Sequence, residues 1–126
     1  MRFTKKYAIY RIILLSDAQD NILGVSFDES NSNKIEILQW PVEKSYKIQT
    51  SKEEVLDPVL SGLKSVNKSL DTSYKLSKIY FLPSDRASNS VYKLLICKLI
   101  RYYHDKKEFK EIEFFETTKS FKWRMI

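Results

Sequence analysis

The residues of this sequence most able to do chemistry lie between Lys93 and Arg124. His104 is the only histidine and Cys97 the only cysteine. A thiolate–imidazole pair needs the two side chains within hydrogen-bond reach. On one helix they stand about two turns, roughly 10 Å, apart, which is too far. One Cys and one His also supply too few ligands for zinc. The richer pattern is cationic. Lys93, Arg101, His104, Lys106 and Lys107 share one stretch, and Lys122, Trp123 and Arg124 follow. Such a set neutralises phosphate or carboxylate groups, and an aromatic among the cations stacks on a base. These eight residues form the candidate binding surface. No helix-turn-helix, RNP or zinc-finger pattern accompanies them. The plain alternative is a solvated, lysine-rich face.

Charge supports this placement. The chain has 126 residues and a formal net charge of +6. From Pro83 onward, ten basic residues stand against six acidic ones. The surplus therefore belongs mostly to the last third of the chain, where it could attract an anionic partner. With 43% hydrophobic and 13% aromatic residues, the sequence can build a core in one domain spanning residues 1–126. A single cysteine excludes an intrachain disulfide framework. Met1 to Lys6 begins like a charged leader. The apolar run Ile12–Leu15 is too short for a signal segment, and no window approaches a membrane span. The expectation is a soluble cytoplasmic protein.

The elements that must position these residues follow from periodicity. Tyr7–Leu15, Ile22–Phe27 and Ile35–Trp40 are rich in β-branched and aromatic residues and read as three strands of an antiparallel meander. Gly24 marks an expected bulge. Ser51-Lys-Glu-Glu54 is a capping box. Val55, Val59, Leu63 and Val66 follow at helical spacing, with Pro58 distorting the first turn. Leu76–Leu82 is a fourth strand, parallel to a neighbour after the helical crossover. A second helix runs from about Ala87 to Lys107. One arc of it, around Val91, Leu95 and Leu99, faces the sheet, and the opposite arc, with Lys93, Cys97, Arg101 and His104, is basic. Lys110–Thr117 gives a fifth strand. Phe121, Trp123 and Met125 alternate with Lys122 and Arg124 in a sixth.

The resulting order β-β-β-α-β-α-β-β is α+β: a mixed, mostly antiparallel six-stranded sheet with two helices. It resembles the N-acetyltransferase core over most of the chain. Asp85, Ser88 and Tyr92 occupy the places where that family opens its last helix, and of these only Tyr92 agrees. The resemblance would imply acetyl-CoA held by a Gly-containing loop before the first helix. Here that junction reads Ile48-Gln-Thr-Ser-Lys-Glu-Glu54, without Gly and with two carboxylates where phosphate would bind. A ribonuclease H-like arrangement shares the first five strands and two helices. It would need Asp28, Glu29 and Asp85 to converge on metal ions, yet these are equally ordinary turn residues.

The expected function is therefore a small non-enzymatic binding module without cofactor or metal, acting through the basic helix face and the aromatic C-terminal hairpin. Tyr102, Tyr103, Phe114, Phe115, Phe121 and Trp123 are many large groups for two short elements to bury. A protein partner or self-association is expected there. The alternatives are a nucleic-acid-binding protein and a degenerate N-acetyltransferase-like domain lacking the phosphate loop. No membrane association is expected.

Overall fold

The computed structural model describes residues 1–14, 21–30, 34–40, 50–83 and 89–111. The fold is α+β, with a six-stranded mixed sheet and two helices. The strands are β1 (Arg2–Lys6), β2 (Ile9–Leu14), β3 (Asn21–Phe27), β4 (Glu36–Gln39), β5 (Leu76–Phe81) and β6 (Lys110–Glu111). Helix α1 (Lys52–Leu70) precedes β5 and α2 (Asn89–His104) follows it. Among the described residues, no helix is long and apolar enough to cross a membrane.

The order of elements follows the sequence reading, and the strand neighbours differ from it. The sheet runs β4-β5-β3-β2-β1-β6. The antiparallel meander is β1-β2-β3, because the charged segment Arg2–Lys6 is itself a strand. β4 does not pair with β3. β5 lies between them, antiparallel to β3 and parallel to β4. The parallel pairing is the one expected from the α1 crossover. The reason for the insertion lies in the side chains. Ile79 and Phe81 are fully buried, as is Leu82 just beyond the strand, whereas Glu36 and Gln39 of β4 are exposed. An apolar strand takes the interior and a polar one tolerates the edge. The expected closing strand around Phe121–Met125 lies outside the described residues, as does the chain beyond Glu111.

Both helices cover one face of the sheet. Ile12, Leu23, Val25, Ile79 and Phe81 meet Val55, Val59 and Val66 of α1 and Leu95, Ile96 and Leu99 of α2 in one core. Ser51 caps α1: its hydroxyl accepts from the Glu54 amide, and the Glu54 carboxylate accepts from the Ser51 amide. Pro58 sits inside a continuous helix. The other face of the sheet holds a second cluster of Ile13, Ile22, Trp40 and Leu82. Gly24 belongs to it. A Cβ there would lie 2.9 Å from the Trp40 ring. The residue is glycine because an indole covers it, and the strand irregularity falls instead between Ser26 and Phe27. Arg11 is fully buried on this face, with its Nε donating to Thr4 Oγ1 at 3.2 Å and its guanidinium over the Trp40 ring. Burial pushes its pKa down to about 10.

Candidate functional site

The site is built where α2 ends. Lys106 adopts a left-handed conformation (φ 57°). Its amide donates to the Tyr103 carbonyl at 3.1 Å, and that of Lys107 to the Tyr102 carbonyl at 3.3 Å. This paired closure stops the helix and turns the chain. Lys110 and Glu111 then pair in parallel with Thr4 and Lys5 of β1. Residues from near both ends of the described chain thus meet around an open cleft of about 790 Å³. Its aromatic wall is Tyr10, Tyr74, Tyr103 and Phe109. Tyr10 stands 5.1 Å from Tyr103 and 5.0 Å from Phe109, centroid to centroid, in edge-on contacts, the favoured arrangement of aromatic quadrupoles. Lys5, Lys106, Lys107 and Lys110 rim it, against Glu108 and Glu111. Glu111 lies 3.9 Å from Lys5, an exposed pair of little energetic weight.

Tyr74 is held in the wall by the turn after α1. The Asn67 amide oxygen accepts from the Tyr74 amide at 3.0 Å and its nitrogen donates to the Tyr74 carbonyl at 3.0 Å. The Tyr74 hydroxyl shares a 2.9 Å hydrogen bond with Nδ1 of His104. Burial raises the pKa of both Tyr74 and Tyr103 above the ordinary tyrosine value. For Tyr74 the neighbouring Tyr103 adds to the rise; for Tyr103, Tyr10 and Glu29 add to it and Lys5 opposes it. A raised acid pKa means the folded state holds its proton longer than the unfolded chain does. Their contribution to stability is therefore complete below about pH 10 and is lost as pH climbs through the raised values. Tyrosinate absorbance against pH should show Tyr74 and Tyr103 titrating late, and Tyr103→Phe should shrink that late phase by one group. A late phase that Tyr103→Phe leaves unchanged would contradict this account.

Comparison with known proteins finds no match. No protein-family model, curated protein or solved structure matches the chain.

The structure divides the eight sequence-derived residues into three groups. His104, Lys106 and Lys107 line the cleft together. Lys93 and Arg101 lie elsewhere, along the seam with α1. The Arg101 guanidinium donates to Ser69 Oγ at 3.0 Å, and the Lys93 backbone runs against Gly62. Lys122, Trp123 and Arg124 are outside the described residues. The arc of α2 opposite the sheet is thus not wholly free, because α1 covers part of it. Leu94 of α2 is 43% exposed. Tyr102 and Tyr103, counted toward a partner interface, make internal contacts: Tyr102 stacks on Phe3 at 3.7 Å and Tyr103 packs on Phe27 at 4.3 Å. Lys5, Tyr10, Tyr74, Phe109 and Lys110 are the wall and rim residues that sequence reasoning missed. Charge and aromaticity were visible in each. Their meeting depends on the β1–β6 pairing, which no local pattern announces.

Cys97, Glu54 and Asp28, among the described residues, are otherwise engaged. The Cys97 thiol donates to the Gly62 carbonyl at 3.4 Å. Burial raises its pKa, with Arg101 and Lys93 opposing, so the nucleophilic thiolate is disfavoured. At the start of α1, Glu54 places its own carboxylate where an anion would bind. Asp28 Oδ1 accepts from the amide and hydroxyl of Ser30, as turn aspartates do. Asp85 lies outside the described residues. Among the described residues, no group of three or more metal-ligating side chains comes together.

Proposed function

We propose that this protein is a non-enzymatic binding module that takes an extended anionic ligand into the cleft at the C-terminal end of α2. The observation that carries this reading is the lining itself. Four lysines surround an aromatic wall in one concavity, with two glutamates among them. Lysines attract and neutralise a polyanion, and half-buried rings give it an apolar surface to lie on. The engaged Cys97 thiol and the self-capped α1 support a binding role over a catalytic one.

The test is fluorescence anisotropy with labelled polyanions, poly-glutamate and oligothymidylate, across a salt series. Affinity for the oligonucleotide should fall with salt at a log–log slope of about −3, as four neutralised phosphates on a single strand imply. Lys106→Glu with Lys107→Glu should abolish most binding. Lys93→Ala with Arg101→Ala, on the α1 seam, should change it little. Failure of both polyanions to bind at low salt would overturn the proposal.

A further inference from the structure

Among the described residues, three other than glycine have positive φ: Tyr7 (54°), Asp71 (54°) and Lys106 (57°). Asp71 is unremarkable, since Asp tolerates the left-handed region and here ends α1. The other two are not. Tyr7 occupies the two-residue turn between β1 and β2, where Gly or Asn is the ordinary choice. Lys106 occupies the helix-ending position where Gly is the ordinary choice. Lys106 rims the cleft. Tyr7 stands between Lys5, which rims it too, and Ala8, which lines an adjoining groove with Tyr10 and Tyr103.

Tyr7 is 84% exposed. A large aromatic held in an unfavourable backbone conformation, with almost no burial to offset it, contributes little to folding. Backbone strain of this kind concentrates where a side chain is needed for something else. Lys6 places its ammonium 5.4 Å from the Tyr7 ring centroid, on a ring that stays largely open to solvent.

We propose that the ligand of the cleft is a single-stranded nucleic acid, with Lys106 and the neighbouring lysines on its phosphates and Tyr7 stacking on one of its bases. This rests on the polyanion reading and narrows it. An unpaired base has an exposed π-face for Tyr7, which a polycarboxylate lacks. Charge also orients the strand. The adjoining groove carries Asp28 and Glu29, which repel phosphate, so the backbone keeps to the lysine side while the base reaches across the turn.

The experiment compares fluorescein-labelled oligothymidylate of about 15 nucleotides, within the usual site-size range, with an abasic strand of equal length and with poly-glutamate. The intact protein should prefer oligothymidylate to the abasic strand by about tenfold, the value of one stacked base. Tyr7→Asn should lose that preference while its Tm rises by about 4 °C, because Asn tolerates positive φ. Lys106→Gly should also raise Tm, and should reduce the salt slope by about 0.7, one phosphate contact. Tyr7→Ala checks that any loss of preference belongs to the ring. Equal affinity for the three polyanions overturns the inference and leaves the cleft as a general polyanion site. So does a Tyr7→Asn variant that keeps the preference, or one whose Tm does not rise. Failure of all three to bind removes both readings.

Discussion

Gly62→Leu should destabilise the protein by about 3 kcal/mol, the upper end of what overpacking typically costs. Helices α1 and α2 come into close contact at this residue. A Cβ at position 62 would fall 2.4 Å from Cγ2 of Ile96 and 2.9 Å from the Lys93 carbonyl oxygen. Neither can move aside easily. Ile96 is fully buried in the core and the carbonyl belongs to the backbone of α2. The Cys97 thiol reaches the Gly62 carbonyl across the same contact, so separating the helices breaks that bond as well. Gly62→Ala is the milder case. Alanine gains about 1 kcal/mol of helix propensity and loses about 2 kcal/mol to the clash, for a net loss of about 1 kcal/mol. Leucine at 96 has no Cγ2 branch at Cβ, so Ile96→Leu in the Gly62→Ala background should recover part of the loss. That coupling is readable from a double-mutant cycle in urea. A Leu variant with an unchanged urea midpoint would show that the helices are not in contact here.

The helix contact also shows where sequence reading stops. The capping box of α1 and the apolar spacing of both helices are local patterns, and both elements form where the patterns place them. The α+β class follows from their order. Strand order is not local. β5 inserts between β3 and β4 because its residues need the interior, and neither neighbour's sequence names its partner. The hairpin of β1 was hidden by its turn, since Tyr7-Ala8 carries neither Gly nor Asn. The candidate site divides along the same line. His104, Lys106 and Lys107 were legible as a cationic cluster. A helical wheel assumes one covered face, but α2 has two neighbours, so Lys93 and Arg101 lie beside α1. Lys5, Tyr10 and Tyr74 join the cleft only through pairings distant in sequence.

Asn67→Ala should destabilise the protein by about 3 kcal/mol and weaken the cleft at the same time. Asn67 lies near the end of α1, outside the cleft, yet it positions one wall. Its side chain makes three hydrogen bonds: it accepts from the Thr72 hydroxyl at 2.8 Å and from the Tyr74 amide at 3.0 Å, and donates to the Tyr74 carbonyl at 3.0 Å. Each contributes about 1 kcal/mol, and more where a half-buried partner is left unmatched. Alanine removes all three. Tyr74 then loses what fixes its backbone, and with it the hydroxyl that meets His104 and the ring that packs 5.7 Å from Tyr103. Asn67→Asp separates the two consequences. Its carboxylate keeps both acceptor bonds and turns an oxygen toward the Tyr74 carbonyl, so the expected loss is smaller, about 1–2 kcal/mol. Urea unfolding reads the stability, and oligothymidylate anisotropy under folded conditions reads the cleft. Asn67→Ala should lower both. Lys106→Glu with Lys107→Glu should lower affinity while leaving the unfolding midpoint nearly unchanged, because exposed charges weigh little in stability. If Asn67→Ala lowered stability alone, Tyr74 would be a folding residue with no part in the site, and the aromatic wall would reduce to Tyr10, Tyr103 and Phe109.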